Sequence, residues 1–221
     1  PPRALRGIGS EASPAPAIEP DIPLSAHDLL VNARGEPQLA PELKKELASA
    51  DFVDLIVAFV RWYGVRLLLE PLEAAIERGA TVRLLTTTYT GSTERRALDE
   101  LRARGVDVRV SYDTQATRLH AKAWIFRRNS GFSTAYVGSS NLTKTALLDG
   151  REWNVRLSRS RSPELFEKIV GAFEAQWESG DYEAYDPERD AERLDAALRQ
   201  GAGPGADEGT NLSGLELRPW P

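Results

Sequence analysis

The first half of the chain alternates between two hydrophobic patterns. Short apolar runs of strand length occur at residues 52–60, 81–87 and 106–111. Before and between these runs, apolar residues recur every three or four positions, as in amphipathic helices, at residues 40–49, 65–79 and 93–104. This alternation predicts an α/β fold with a mixed, mainly parallel sheet flanked by helices.

The second half continues with shorter elements. We predict strands beginning at Leu119 and covering residues 134–137 and 152–157, with a short helix after Asn141. A strong apolar stripe then follows Pro163, and a last helix opens at residue 187 and ends near residue 201.

Candidate chemistry lies at the start of the strand predicted from Leu119. Side chains two positions apart on a strand share a face, so His120 and Lys122 would face one site. The next predicted strand ends in Gly-Ser-Ser-Asn at residues 138–141, which can turn sharply beside them. These groups suit a phosphodiester, because imidazole can attack phosphorus while Lys122 and Asn141 hold the non-bridging oxygens.

These residues resemble the active-site motif of the phospholipase D superfamily, H-x-K-x4-D followed by G-S-x-N. The resemblance implies a metal-independent phosphodiesterase that works through a phosphohistidine, needs no cofactor, and uses Ser139 as a further donor. Arg127 stands at the position of the family's Asp. Single-motif nucleases of the superfamily also lack that Asp and carry a downstream Glu, so we assign Glu152 to orient His120.

Simpler structural roles stay open for three of these residues. Ser139 and Asn141 could cap the following helix or form its turn, since both residue types satisfy free backbone amides. Glu152 could be only a solvated strand residue. A capping role and a catalytic role are compatible with each other.

Composition narrows the function classes. The chain is 41% hydrophobic and 28% charged, as in globular proteins, and has no apolar stretch long enough for a membrane span, so we expect a cytoplasmic protein without a membrane partner. Zero Cys and two His exclude thiolate zinc sites and leave little for a metal centre.

Charge distribution favours a polyanion bound at one face. The net charge of −5 argues against a protein that coats nucleic acid. Between residues 118 and 161, however, basic residues are frequent and the acidic ones are only Asp149 and Glu152. We predict substrate contacts from Arg118, Arg127 and Lys144 within this basic region.

Composition predicts two of four segments, the leader and the linker, and the resemblances to known families predict the other two. The four segments are a flexible leader at residues 1–25, a phospholipase D-like domain at 26–200, a linker at 201–213 and the start of a further domain at 214–221. The last of these contains a Leu-Arg-Pro-aromatic tetrad that resembles the lead-in to superfamily II helicases. Residues 29–198 resemble the nuclease domain fused ahead of a DEAD/DEAH-type helicase in bacterial proteins. The absence of Met, including at position 1, then fits an N-terminal fragment.

The superfamily uses two histidines, and this chain carries one motif. The resemblance therefore implies a homodimer in which two copies of His120 face each other and act on nucleic acid, with DNA as the preferred expectation. The rival is a DNA-binding or dimerisation module of the helicase without useful turnover, which Arg127 keeps open and Glu152 argues against. A lipid-cleaving phospholipase ranks below both.

Overall fold

An eight-stranded sheet forms the centre of the computed structural model, which describes residues 22–23, 25–33, 35–113 and 119–202. The strands are β1 (Asp28–Leu30), β2 (Phe52–Ile56), β3 (Thr81–Thr87), β4 (Asp107–Ser111), β5 (Ala123–Arg127), β6 (Thr134–Gly138), β7 (Asn154–Ser158) and β8 (Glu183–Ala184). The helices are α1 (Leu39–Leu47), α2 (Trp62–Arg66), α3 (Leu69–Glu77), α4 (Arg95–Ala103), α5 (Lys144–Leu147), α6 (Pro163–Trp177) and α7 (Pro187–Ala202). The strand order is β1-β7-β6-β5-β2-β3-β4-β8.

The mixed α/β class is confirmed, but its parallel part is smaller than predicted. Among the described strands only β2–β3 and β3–β4 pair in parallel, and the other neighbours are antiparallel. The reason is the length of the connections. Helices α2, α3 and α4 provide the crossovers that parallel neighbours need, whereas β5 turns directly into β6.

Helices cover the two faces of the sheet unequally. One hydrophobic cluster takes side chains from α1 to α5 and from α7, with Trp124, Phe126 and Tyr136 of the sheet. The other cluster packs the apolar stripe of α6, through Phe166, Phe173 and Trp177, on the opposite face. The stripe after Pro163 therefore serves core packing.

Several element boundaries differ from the sequence pattern. The apolar run at 52–60 gives a strand only as far as Ile56, although the chain continues beside the sheet through Val57 N–H to Leu85 C=O at 3.1 Å. The helical pattern at 65–79 is split into α2 and α3, and Pro71 lies in the first turn of α3, where its missing N–H costs nothing. Helix α7 extends through residue 202, two residues into the range predicted as a linker.

A buried charge network around Glu46 lies on the sheet. Glu46 of α1 is fully buried and its carboxylate accepts hydrogen bonds from Arg128 (2.6 Å), Thr134 (2.7 Å) and Tyr136 (2.9 Å). Arg156 lies 3.7 Å from the same carboxylate. Two guanidinium groups from the predicted basic region therefore serve the core.

The predicted leader, the rest of the linker and the predicted helicase start fall almost entirely outside the described residues. In the part of the chain that is described, no helix combines the length and the apolar composition that a membrane crossing requires.

Candidate active site

The motif residues meet at one edge of the sheet because of strand direction. β5 runs antiparallel to both β2 and β6, and β6 runs antiparallel to β7. The start of β5 therefore lies beside the ends of β2 and β6 and near the start of β7. His120 and Lys122 precede β5, the turn at residues 138–141 follows β6, and Glu152 precedes β7.

Lys122 is the buried cation of the site. The predicted strand begins later than expected, at Ala123, so Lys122 lies just before it, and its side chain is only 6% exposed. Its Nζ donates to the His120 carbonyl at 2.6 Å, and Gly138 N–H donates to its carbonyl at 3.1 Å. Burial lowers the pKa of Lys122, while the negative charge of Glu152 raises it and offsets part of the effect.

The turn at residues 138–141 is fixed against the segment that leads into β7. Ser139 N–H donates to the Trp153 carbonyl at 3.0 Å, and Trp153 N–H donates to Ser139 Oγ at 3.1 Å. The Ser139 hydroxyl also donates to the Glu152 carboxylate. A Cβ at Gly138 would overlap the backbone of Trp153 and Asn154, so this close approach requires glycine.

Asn141 is oriented by the end of the β2 segment. Its Oδ1 accepts a hydrogen bond from Phe59 N–H at 3.2 Å, which directs the amide NH₂ group away from that backbone as a donor. The alternative role of Ser139 and Asn141 as the helix cap is wrong. Thr143 is the N-cap of α5, and its side chain accepts from Ala146 N–H at 3.1 Å.

His120 is exposed, as an attacking group must be. The described contacts of the Glu152 carboxylate are the hydrogen bond from Ser139 and the electrostatic interaction with Lys122, rather than a bond to the imidazole. The role of Glu152 in orienting His120 therefore stays a prediction.

The three predicted substrate contacts lie in different places. Lys144 is exposed at the start of α5, close to Asn141 in the chain, whereas Arg118 is outside the described residues. Arg127 ends β5, about 17 Å from Lys122 along the strand at about 3.3 Å per residue. The structure does not bring Arg127 to His120, because its guanidinium is held by Asp54 at 2.8 Å and lies 3.5 Å from Glu174.

Sequence reasoning missed the role of Asn154 in shaping the turn. Asn154 is buried, and its Nδ2 donates to Ser140 Oγ at 2.8 Å, which in turn donates to the Ala146 carbonyl at 3.4 Å. The alternation of the strand indicates a polar face, because Asn154 and Arg156 lie two positions apart. That Asn154 binds Ser140 could be identified only from the three-dimensional arrangement.

No group of three or more His, Asp or Glu side chains in the described ranges is arranged to hold a metal ion. The functional groups of this edge are thus an imidazole, an ammonium, an amide and a hydroxyl, with one carboxylate beside them.

Most of the described chain is similar to a known protein family. The family described as "Cardiolipin synthase, PLD-like domain" matches residues 43–177. No curated protein matches the chain.

Solved structures share the fold at low sequence identity. Nuc, a phospholipase D family member from Salmonella typhimurium, is 20% identical, with a TM-score of 0.56 over 72% of this chain and 97% of Nuc. NucT from Helicobacter pylori is 14% identical, with a TM-score of 0.58 over 72% of this chain and 99% of NucT. A phosphatidylserine synthase from Haemophilus influenzae is 13% identical, with a TM-score of 0.54 over 80% of this chain and 45% of the synthase.

Proposed function

Since the chain belongs to the phospholipase D-like domain family, matched over residues 43–177, we propose that it is a metal-independent phosphodiesterase that cleaves nucleic acid, with DNA as the substrate. The observation that carries this proposal is the exposed His120 beside the buried Lys122, at the edge formed with the turn at residues 138–141. This pairing supplies a nucleophile next to a cation that is shielded from water.

The proposed reaction has two steps. His120 attacks phosphorus and forms a phosphoramidate bond while the bond to the leaving oxygen breaks, and that oxygen takes a proton from a second imidazole. The second imidazole then removes a proton from water, which attacks phosphorus and releases His120. Lys122 and Asn141 stabilise the negative charge that develops on the phosphoryl oxygens. Ser139 joins them when its hydroxyl turns from the Glu152 carboxylate to the substrate.

The second imidazole is proposed to be His120 of another copy in a homodimer. His27, the other histidine of the chain, is engaged elsewhere: its Nε2 is 3.1 Å from Ser162 Oγ, and its Nδ1 accepts from Ser158 N–H at 3.2 Å. It is therefore poorly suited to serve as the second catalytic histidine. A two-fold axis near the site would supply the missing group.

An exposed apolar strip beside the site supports this dimer. Leu29, Val137, Trp153 and Val155 are all exposed, and Val155 lies directly opposite both Leu29 and Val137 across the sheet. Trp153, 67% exposed, follows Glu152 in the chain. We assign this apolar row to the interface of the proposed dimer.

We also propose that a helicase domain begins at residues 214–221, which lie outside the described residues. A cytoplasmic location is likewise proposed. The rival function, a DNA-binding or dimerisation module, is suggested by Arg127 at the position of the family's Asp. Arg127 is ion-paired at the far end of β5, away from His120. The substitution at this position therefore leaves the catalytic groups in place, which favours an active site over an inactive one.

A lipid phosphodiester is the second candidate substrate. The description of the matching family names cardiolipin synthase, and one structural neighbour is a phosphatidylserine synthase. Phospholipid vesicles therefore belong in the same assay as nucleic acid.

The test is cleavage of labelled single- and double-stranded DNA and of phospholipid vesicles in excess EDTA. Cleavage of DNA should persist in EDTA and fall by about 1,000-fold or more in His120→Ala, because one substitution removes both chemical roles. His27→Ala is the matched control and should keep activity. A parallel acid-quench experiment should trap a phosphorylated chain only when His120 is present.

Three outcomes would contradict the proposal. Salt-sensitive DNA binding without cleavage by the unmodified chain favours the binding module. Cleavage of lipid alone identifies the second candidate, and cleavage abolished by EDTA removes the metal-independent mechanism.

A further inference from the structure

A surface beside Asn141 combines positive charge with an exposed aromatic ring. We define this α2 surface by Arg61, Tyr63, Arg66 and Lys144, all of which are exposed. It is tied to the site by backbone contacts, since Arg61 N–H donates to the Leu142 carbonyl at 2.9 Å.

The attachment of α2 to the site is close. A Cβ at Gly64 would overlap the backbone of Leu142 and Thr143, so the helix lies directly on the segment that follows Asn141. Two residues before Arg61, Phe59 N–H holds the Asn141 side chain. The α2 surface is therefore continuous with the Asn141 side of the candidate active site.

The cations of the α2 surface are not neutralised within the described part of the chain. Arg61, Arg66 and Lys144 form no ion pair there, whereas some exposed arginines elsewhere do. Arg95 pairs with Asp195, and Arg193 pairs with Glu183. A local excess of positive charge on a protein of net charge −5 indicates an anionic partner at this surface.

Tyr63 supplies a free aromatic face. Its side chain is 62% exposed, and Arg66 lies three residues further along α2, on the same side of the helix. The neighbouring Trp62 is already occupied, because the Arg96 guanidinium covers its ring at 4.1 Å from the centroid. Tyr63 is thus the ring of α2 that is open to a planar ligand.

We propose that the α2 surface binds single-stranded nucleic acid that flanks the cleavage site. Tyr63 stacks on one unpaired base, and Arg61, Arg66 and Lys144 contact the adjacent phosphates. A base in a duplex is covered on both faces by its neighbours, so this recognition selects an unstacked strand. The inference rests on the proposed function and adds the strand class of the substrate.

The experiment measures binding in the His120→Ala background, so that cleavage does not interfere. Tyr63→Ala should weaken binding of oligo(dT) by about 5- to 150-fold, the range for loss of one stacked base, and Tyr63→Phe should bind as the parent does because it keeps the ring. Affinity for a duplex of the same length should be the same for all three proteins.

An abasic oligonucleotide gives a sharper test of stacking. When the bases across the bound segment are removed one at a time, one abasic position should abolish the difference between Tyr63→Ala and its parent. Arg66→Ala should reduce the salt dependence of binding, and Arg193→Ala, an ion-paired surface arginine, should not. Oligo(rU) beside oligo(dT) separates RNA from DNA.

The failures of the two proposals can be told apart. Equal losses on duplex and single strand, or no loss in Tyr63→Ala, would overturn the α2 surface and leave the nuclease proposal standing. Absence of any nucleic-acid binding would overturn both.

Discussion

At the scale of single residues, Lys122 experiences two opposing effects on its charge. Burial disfavours the ammonium, and the carboxylate of Glu152 favours it. The net effect is a pKa below the ordinary lysine value. The charge of Lys122 therefore depends on both its burial and the neighbouring Glu152 carboxylate.

We predict that Glu152→Gln lowers the pKa of Lys122 further, because the amide removes the negative charge that favours the ammonium. Lys122 is protonated below its pKa, so the alkaline limb of the cleavage profile should move to lower pH in the variant. An NMR titration of the Lys122 side chain measures the pKa without relying on activity. Glu188→Gln, an exposed substitution at the start of α7, is the control.

An unchanged Lys122 titration in Glu152→Gln would show that the two charges do not interact. A change in the cleavage profile without a change in the titration would instead locate the effect of Glu152 at another group, such as His120.

At the scale of elements, the sequence pattern predicted the strand–helix alternation from β2 to β4 and the gathering of the motif residues. It could not predict the partners of Arg127 and Arg128. Arg127 pairs with Asp54 and Glu174, and Arg128 pairs with Glu46. These carboxylates come from distant parts of the chain and reach the two arginines only in the folded sheet. Local basic composition therefore overstated the number of cations available to a substrate.

The β6–β7 contact at the site gives an element-scale prediction. Gly138→Ala should destabilise the domain by about 1–3 kcal/mol, because the added methyl group would press on backbone atoms of β7 that cannot move aside. Gly171→Ala is the matched control. Nothing lies within 4 Å of a Cβ there, so alanine in the middle of α6 should stabilise the domain by about 0.4–1 kcal/mol.

Urea unfolding of both variants beside the parent measures these changes. Equal stability of Gly138→Ala and the parent would show that β6 and β7 can separate at the site, against the close contact described above.

At the scale of the whole molecule, helix α6 leaves part of one sheet face exposed to solvent, and this part is the candidate surface for assembly. Helix α6 packs on Ile125 and Ala135, whereas Val137, which shares a face with Ala135, is left exposed. The apolar strip therefore continues a buried surface out to solvent. A second copy that covers it would also exclude water from the neighbouring site.

We predict that Val155→Asp converts the proposed dimer to a monomer, since two carboxylates would be buried at a two-fold interface. Sedimentation velocity measures the assembly state, and cleavage should be lost together with the dimer. Leu165→Asp is the control, because Leu165 is similarly exposed but lies on α6 rather than in the strip. A dimer that survives Val155→Asp would place the interface elsewhere.

The two edges of the sheet are formed by very short strands, three residues in β1 and two in β8. Long, flat edge strands recruit further chains through their free N–H and C=O groups and so promote fibre growth, and shortening them is a common protection. The domain should therefore resist open-ended ladder formation when it is concentrated. The proposed dimer instead uses side chains on a face of the sheet, and a symmetric contact of that kind closes after two copies.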